Sequence, residues 1–432
     1  MGKTSALLTD RYEISGDQVS LHSGAGRQHS VFEVFARDLP PGRRYGIFAG
    51  LGRLLGRIED FEFGPSEMAW LKAKSIGDEQ TWAMLKGHPF QGDIWAYREG
   101  EVYFPYSPLM RIEGSFAECL LLETLTLSVL NWDSGIASTA ARMVSAAKGR
   151  ALIEMASRRV HEEAAVAVAR AAYIAGFTAT SNLEAGRTWG VPTAGTAQHA
   201  LTLAHENEID AFVAQVEVLG EDTTLLADTY DWRQGLRNAV LAGGQDLGAV
   251  RIDLGGDLEP ILAEARGILE SLGATKTRIV CSGRMDEFEI ERLKKADAFG
   301  VGERLVFPVG GGSPGFTYKL VQIEDRAVAK RSENKGNYGG RKTGWRLFDS
   351  GGIVVAEESL VGGGVGRGKA MHVKMMAKGQ RIWEPSTEEI RAECASARRG
   401  LSAEDLSLVA GAPRIVCQMR RPEDLAKSEA WA

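Results

Sequence analysis

The chain has 432 residues, 44% hydrophobic and 25% charged, the balance of an ordinary globular protein and not of a disordered or collagen-like one. Its 51 basic and 57 acidic residues leave a net charge of −6, which argues against nucleic acid as the main partner. No apolar run approaches the ~18 residues needed to cross a bilayer, so no membrane role is expected. The length fits two to three domains. The N-terminal MGKTSALLTDRYE reaches charge before any long apolar stretch and does not read as a signal peptide. Cys119, Cys281, Cys394 and Cys417 lie far apart with no CxxC, which predicts reduced thiols in a cytoplasmic protein. Glycine, at 51 residues, exceeds its usual ~7% share and predicts many tight turns or backbone held close to a ligand.

Three zones follow along the chain. Residues 1–145 mix both periodicities and predict an N-terminal α+β domain. VFEVFARDL (31–39) reads as a strand, and DIWAYREGEVYFPY (93–106) as a hairpin with alternating apolar positions. Residues 116–148 carry helical spacing, with an expected break near Asn131–Gly135. Residues 146–325 alternate short apolar runs with amphipathic segments. Candidate strands are 151–155, 176–180, 191–195, 223–228, 248–253, 277–282, 298–302 and 316–321. The helices between them are 161–175, 198–215, 233–243, 258–272 and 286–296. Such strands predict a parallel sheet covered by helices, and their number favours an irregular α/β barrel over an open doubly wound sheet. Residues 326–432 return to short strands and Gly-rich turns, a smaller C-terminal region expected to pack on the N-terminal domain.

In a barrel, function gathers at the C-terminal ends of the strands. Those positions hold Ser181-Asn182, Thr196, His199, Asp228-Thr229-Tyr230-Asp231, Arg251, Asp253, Asp257, Ser282-Gly283-Arg284 and Gly300-Val301-Gly302. Their recurrence at one end predicts a single large polar site. CSGRMDE (281–287) and FGVG (299–302) together suggest a phosphate cradle, although either alone reads as a plain turn before a helix. His199 follows a Gly-Thr turn at the start of a helix, where catalytic and structural roles weigh about equally. Asp228, Asp253 and Asp257 suit Mg²⁺ bound through waters or sugar hydroxyls, or else helix caps. No residue is assigned as a direct metal ligand. Arg158-Arg159 suit a carboxylate or phosphate, or else a solvated helix start. GGVGRGKA (363–370) approaches a P-loop, but Ala370 stands where the hydroxyl belongs and no clear helix follows, so it reads as a flexible loop.

These segments, in order, resemble nicotinate phosphoribosyltransferase, a type II phosphoribosyltransferase family. The resemblance is carried by LLTDRYE (7–13), the strand and turn at 31–51, residues 155–186 ending in T-S-N-L-E-A-G, VPTAGTAQHA (191–200), DTYD (228–231), RIDLGGDL (251–258), CSGRMDE, FGVGERLV (299–306), YKLV (318–321) and KRSENKGNYGGRK (330–342). It implies that nicotinate and 5-phosphoribosyl-1-diphosphate give nicotinate mononucleotide and diphosphate, with Mg²⁺, and with ATP hydrolysis coupled through a phosphohistidine. His199 matches that histidine. Tyr12 matches a tyrosine that stacks on nicotinate from the neighbouring subunit of a homodimer. Thr196 and Arg251 match nicotinate contacts. Arg158, Asp228 and Asp253 are further candidate substrate contacts, and Ser282, Gly283, Gly300, Gly302 and position 303 match the phosphate site. Four features depart from the family pattern: Met155-Ala156 for Phe-Gly, the run 253–258 with Ser lost and one residue added, Ser15-Gly16 after the tyrosine, and Glu303 for a hydroxyl residue. Glu303 is an anion where phosphate is expected. Two other readings remain: a related transferase with another base such as nicotinamide, which the arginines disfavour, and a non-catalytic nucleotide-binding paralogue, which Glu303 favours.

Overall fold

The computed structural model describes residues 4–87, 90–308, 311–333 and 335–421, so the end of the predicted C-terminal region, 422–432, lies outside the described residues. The chain forms two compact units, one of residues 1–138 and 312–432 and one of residues 139–311. Within the first, the run VFEVFA is buried at nearly every position and forms the strand His29–Ala36. A seven-stranded antiparallel sheet grows on both its edges. The order is Arg326–Ala327, Phe316–Ile323, His29–Ala36, Met110–Ser115, Asp93–Ala96, Val373–Ala377, Gln380–Arg381. Phe32, Val34, Ile94, Ile112 and Tyr318 lie in its core. The one carboxylate inside the central strand, Glu33, is buried and meets Lys342 Nζ at 3.0 Å from both oxygens. A four-stranded sheet, Lys369–Ala370, Lys342–Phe348, Val354–Val361 and Gln418–Arg420, completes this unit.

Three local expectations change. Residues 93–106 are not a hairpin: Asp93–Ala96 joins the large sheet, whereas Val102–Tyr103 pairs with Gly46–Ile47. The cause is Glu99, a buried carboxylate between them. Its oxygens accept from Gly50 N and Gly52 N at 2.6 and 2.9 Å, at the start of helix Leu51–Glu59, and so draw the loop away. The helix Glu123–Ala147 runs unbroken through Asn131–Gly135. Its polar residues are spent sideways: Asn131 accepts from Phe316 N, Asp133 pairs with Arg53, and Ser134 bonds Ala49. The candidate strand 316–321 belongs to the antiparallel sheet, not to the parallel one.

The second unit holds six parallel strands: β1 (Ala151–Glu154), β2 (Ala179–Thr180), β3 (Thr224–Leu226), β4 (Ala249–Ile252), β5 (Arg278–Cys281) and β6 (Ala298–Val301). The order β2-β1-β6-β5-β4-β3 is that of a ring cut between β2 and β3. Residues 191–195 contribute only the isolated bridge Thr180↔Thr193 at the cut. The α/β barrel expectation therefore holds as a half-barrel. The predicted helix 198–215 divides into His199–Leu203 and Glu208–Leu219, because the Asn207 side chain caps the second piece by accepting from Asp210 N. All strands run the same way, so their C-terminal ends share one rim.

In the first unit, helix Arg11–Ser23 turns Glu13 and Asp17, one helical turn apart, fully into the interior. Glu13 accepts from Thr124 N at 2.8 Å, but its second oxygen and both Asp17 oxygens lack hydrogen-bond partners among the described residues. Burial pushes Glu13 up to about 7, with Asp10 and Glu123 adding to the rise and Thr124 opposing it. Burial, with Glu13 adding to it, pushes Asp17 up to about 8. Because both folded values lie above the ordinary ones, the stability they contribute is complete below about pH 4 and is lost as pH rises through 7 to 8. Stability should therefore fall between about pH 5 and pH 8, by at most about 1.4 kcal/mol per pH unit for each group titrating, and level off above that, with the apparent melting temperature following it. Asp17→Asn should flatten that fall in thermal melts at fixed ionic strength; an unchanged slope would contradict it.

Candidate active site

β4 carries the central residue. Val250 and Ile252 are fully buried, so the strand's two-residue period turns Arg251 to the opposite face, where it is partly exposed. Its guanidinium donates in three directions. Nη1 reaches Thr196 Oγ1 at 2.7 Å, Nε reaches Ser282 Oγ at 3.0 Å, and Nη2 reaches Asp253 Oδ2 at 2.7 Å. Three loops, after residue 195, after β4 and after β5, are thereby fixed to one cation. A guanidinium has five N–H donors in a planar fork, so two remain for a ligand.

The network continues through Asp253. Its backbone N–H donates to Asp228 Oδ2 at 2.8 Å. Asp228 follows β3, and burial raises its carboxyl above the ordinary range, opposed by the Asp253 N–H and by His199. Its other oxygen, Oδ1, is buried without a hydrogen-bond partner among the described residues and lies 4.0 Å from His199 Nε2. On the other side of the ring, Nδ1 meets Thr229 Oγ1 at 3.1 Å. The imidazole is bonded on one side by Thr229 and faces the Asp228 carboxylate at 4.0 Å on the other, and its side chain is 43% exposed.

The glycine turns border this network. A Cβ on Gly283, whose φ of +120° suits glycine, would lie 3.6 Å from Asp253 Oδ1. A Cβ on Gly300 would come within 2.8 Å of Met155 Sδ and 3.2 Å of Ser282 Cβ. Gly302 precedes a helix of only four residues, Glu303–Val306. Glu303 Oε2 lies 3.9 Å from Arg159 Nε, so the anion at this turn has a cation beside it.

Of the predicted residues, Thr196, His199, Asp228, Arg251, Asp253 and Ser282 form one continuous chain of contacts, with Gly283 and Gly300 against it. Gly302 and Glu303 lie on the same turn as Gly300. Arg158 is exposed on the short turn Ser157–Arg159 and makes no hydrogen bond or ion pair among the described residues. Tyr12 belongs to the first unit, 53% exposed on its helix. Asp257 takes the cap reading: it accepts from Glu259 N at 3.3 Å and pairs with Arg292 at 2.7 Å. The 363–370 loop leads into strands, and its cations are occupied, Arg367 by Glu358 and Lys369 by Glu101. Thr229, placed by the sequence at the same strand end as Asp228 but given no role of its own, bonds the ring of His199. Among the described residues no group of three or more His, Cys, Asp or Glu gathers as a metal cage.

Placement of Asp228 depends on a glycine. Gly235, in helix Trp232–Gly243, packs so closely on the end of β3 that an added Cβ would run into the Ala227 carbonyl oxygen. Gly235→Ala should destabilise the fold by roughly 1–3 kcal/mol, as overpacking does. It should also shift the Asp228–His199 pair; a denaturant midpoint equal to wild type would refute the close approach.

Comparisons with known proteins agree on one family. Residues 7–131 match the family described as nicotinate phosphoribosyltransferase (NAPRTase) N-terminal domain. Nicotinate phosphoribosyltransferase pncB1 of Mycobacterium tuberculosis is 47% identical over 425 residues, covering 95% of this chain and 94% of that protein. The Bacillus subtilis nicotinate phosphoribosyltransferase is 34% identical over 74% of this chain and 67% of its own. Among solved structures, human nicotinic acid phosphoribosyltransferase superposes with a TM-score of 0.82 over 98% of this chain and 100% of that one, at 23% identity, a likeness of fold.

Proposed function

The chain belongs to the nicotinate phosphoribosyltransferase family, and we propose that it transfers the phosphoribosyl group of 5-phosphoribosyl-1-diphosphate to nicotinate in NAD salvage. The observation that carries this reading is the Arg251 fork. It is a cation with two free donors in a rim of hydroxyls, which suits a flat aromatic carboxylate better than a neutral amide. That favours nicotinate over nicotinamide as the acceptor.

The reaction breaks the bond from the ribose anomeric carbon to diphosphate, which leaves with the electron pair, and forms a bond from that carbon to the ring nitrogen of nicotinate. The transition state is oxocarbenium-like, so the protein's task is positioning and charge stabilisation. Arg251 and Thr196 orient the base. The glycine turns at 283 and 300–302 bring backbone N–H groups within reach of the 5′-phosphate. The residues fit Mg²⁺ in the manner usual for that ion, held by one or two carboxylates and the substrate's phosphates and not by a protein cage. Asp253, whose Oδ1 is free of Arg251, and Asp228 are the carboxylates for it. When bound, Mg²⁺ neutralises the departing diphosphate.

ATP enters through His199. A nitrogen of its exposed ring takes the γ-phosphoryl group of ATP as the bond to the β-phosphate oxygen breaks and ADP leaves with the electron pair, while Thr229 orients the ring and Asp228 faces it. The Tyr12 face supports a homodimer with a shared site. Leu7, Leu8, Tyr12, Val19 and Trp70 are all at least 40% exposed, and a recess of about 370 Å³ lies between Leu7, Ile14 and Trp70. Such a patch is what an isologous interface covers. No described helix is long and apolar enough to cross a membrane. With four buried free thiols, a cytoplasmic location fits.

Incubation with Mg²⁺, phosphoribosyl diphosphate and nicotinate, with and without ATP, should yield nicotinate mononucleotide, and nicotinamide should not replace nicotinate. No product from folded protein would sink the reading and favour a binding-only paralogue. ATP should leave an acid-labile phosphate on the protein that His199→Ala abolishes; a mutant that keeps the label would move the phosphorylated residue elsewhere. Arg251→Lys retains the charge but loses the fork. Its KM for nicotinate should rise about tenfold or more, and steady-state kinetics giving an unchanged KM would remove Arg251 from the base site.

A further inference from the structure

Glu154 is the last residue of β1 and only 1% exposed. It is a carboxylate at the rim of the half-barrel, and among the described residues no cation is bonded to it. Burial raises its carboxyl above the ordinary range, opposed by hydrogen bonds from Thr180 and Ala156. A buried carboxylate without a counter-charge is costly, and an apolar residue would fill a strand end without that cost. What Glu154 provides is a set of bonds that an apolar side chain cannot make.

Its two oxygens face two different loops. Oε1 accepts from Ala156 N, at the start of the turn Ser157–Arg159. Oε2 accepts from Thr180 Oγ1, at the end of β2. Thr180 Oγ1 in turn accepts from Asn182 N at 3.0 Å, and Asn182 Nδ2 returns to Ser157 Oγ at 3.0 Å. The circuit closes on itself. It ties the loop bearing Arg158 and Arg159 to the end of β2. Thr180 also pairs through its backbone with Ala194 N and Pro192 O, two residues from Thr196.

We propose that Glu154 is a positioning residue for the transferase reaction: its carboxylate clamps the 156–159 turn to β2 and so presents Arg158 and Thr196 to the substrates. This rests on the transferase function proposed above, in which Thr196 orients the base, and it takes Arg158 as the contact for the phosphates of phosphoribosyl diphosphate. Glu154 itself touches no reacting atom; it acts through the turn it holds.

Glu154→Gln preserves the clamp, because the amide oxygen can accept from Ala156 N while its NH₂ donates to Thr180 Oγ1. Glu154→Ala removes both bonds. The alanine variant should raise KM for phosphoribosyl diphosphate about tenfold or more, the scale of a lost hydrogen bond to a charged group, with a smaller change in kcat. Glutamine should restore KM to near wild type. Amide hydrogen exchange at 156–159 and 180–182 should quicken in the alanine variant and not in the glutamine one. If alanine lowers stability and kcat but leaves KM and that exchange pattern unchanged, Glu154 is structural only. If folded Glu154→Gln behaves like alanine, charge and not the clamp matters, and the proposal fails. Should Glu154→Ala not fold, Thr180→Val removes one donor from the same circuit and must give the same KM rise. If wild type makes no nicotinate mononucleotide, the functional reading fails separately, and the exchange pattern alone decides whether the clamp exists.

Discussion

Arg251 is a cation on a strand whose neighbouring positions are fully buried, and its charge has to be met at the rim where it emerges. The protein meets it with two hydroxyls and a carboxylate drawn from three loops. Each bond satisfies the guanidinium, and together they fix Thr196, Ser282 and Asp253 relative to one another. Asp253 then orients its own N–H onto Asp228, and Asp228 faces His199. The site is thus a chain in which each residue's position is set by the one before it.

Buried charges in the two units fall into two kinds. In the first unit Glu33 meets Lys342, and Glu101 and Glu357 meet the buried Arg346. In each of these pairs the buried carboxylate faces a cation directly. At the rim of the half-barrel, among the described residues, Asp228 Oδ1 has no hydrogen-bond partner and Glu154 is met by the neutral donors Ala156 N and Thr180 Oγ1. Burying such groups is costly, so their presence marks a place where stability is surrendered for reactivity or position. Glu13 and Asp17 share this signature in the helix that carries Tyr12, which links the titration of that helix to the face proposed for dimerisation.

The parallel strands were legible because each is a short apolar run followed by an amphipathic helix, and six of the eight candidates form the sheet. The two exceptions share a cause. VPTAG and FTYKLV are apolar enough for any sheet, and only tertiary pairing decides that one makes a single bridge and the other crosses to an antiparallel partner. The hairpin at 93–106 failed because Glu99, an apparently ordinary turn residue, caps a helix that begins 48 residues earlier in the chain. In the site, Thr196, Arg251, Asp253 and Ser282 could be read from their places at strand ends. Glu154 could not, because inside ALIEM it looks like a solvent-facing position of an edge strand. The available signal was a carboxylate at the last position of a strand that the fold makes central.

Glu303 is the departure that most opposes a phosphate at the Gly300–Gly302 turn, and its surroundings reduce that opposition. Its carboxylate is 3.9 Å from Arg159, and both side chains are about half exposed. A pair in that setting is worth only ~0–1 kcal/mol, because water screens each charge. The same screening weakens the repulsion between Glu303 and an arriving phosphate, and the pair is loose enough to part. For the phosphate proposed at this turn, Arg159 is a cation beside the same position. Glu303 and Arg159 are therefore one electrostatic unit. An anion at position 303 is compatible with the family's reaction as long as that arginine stands beside it.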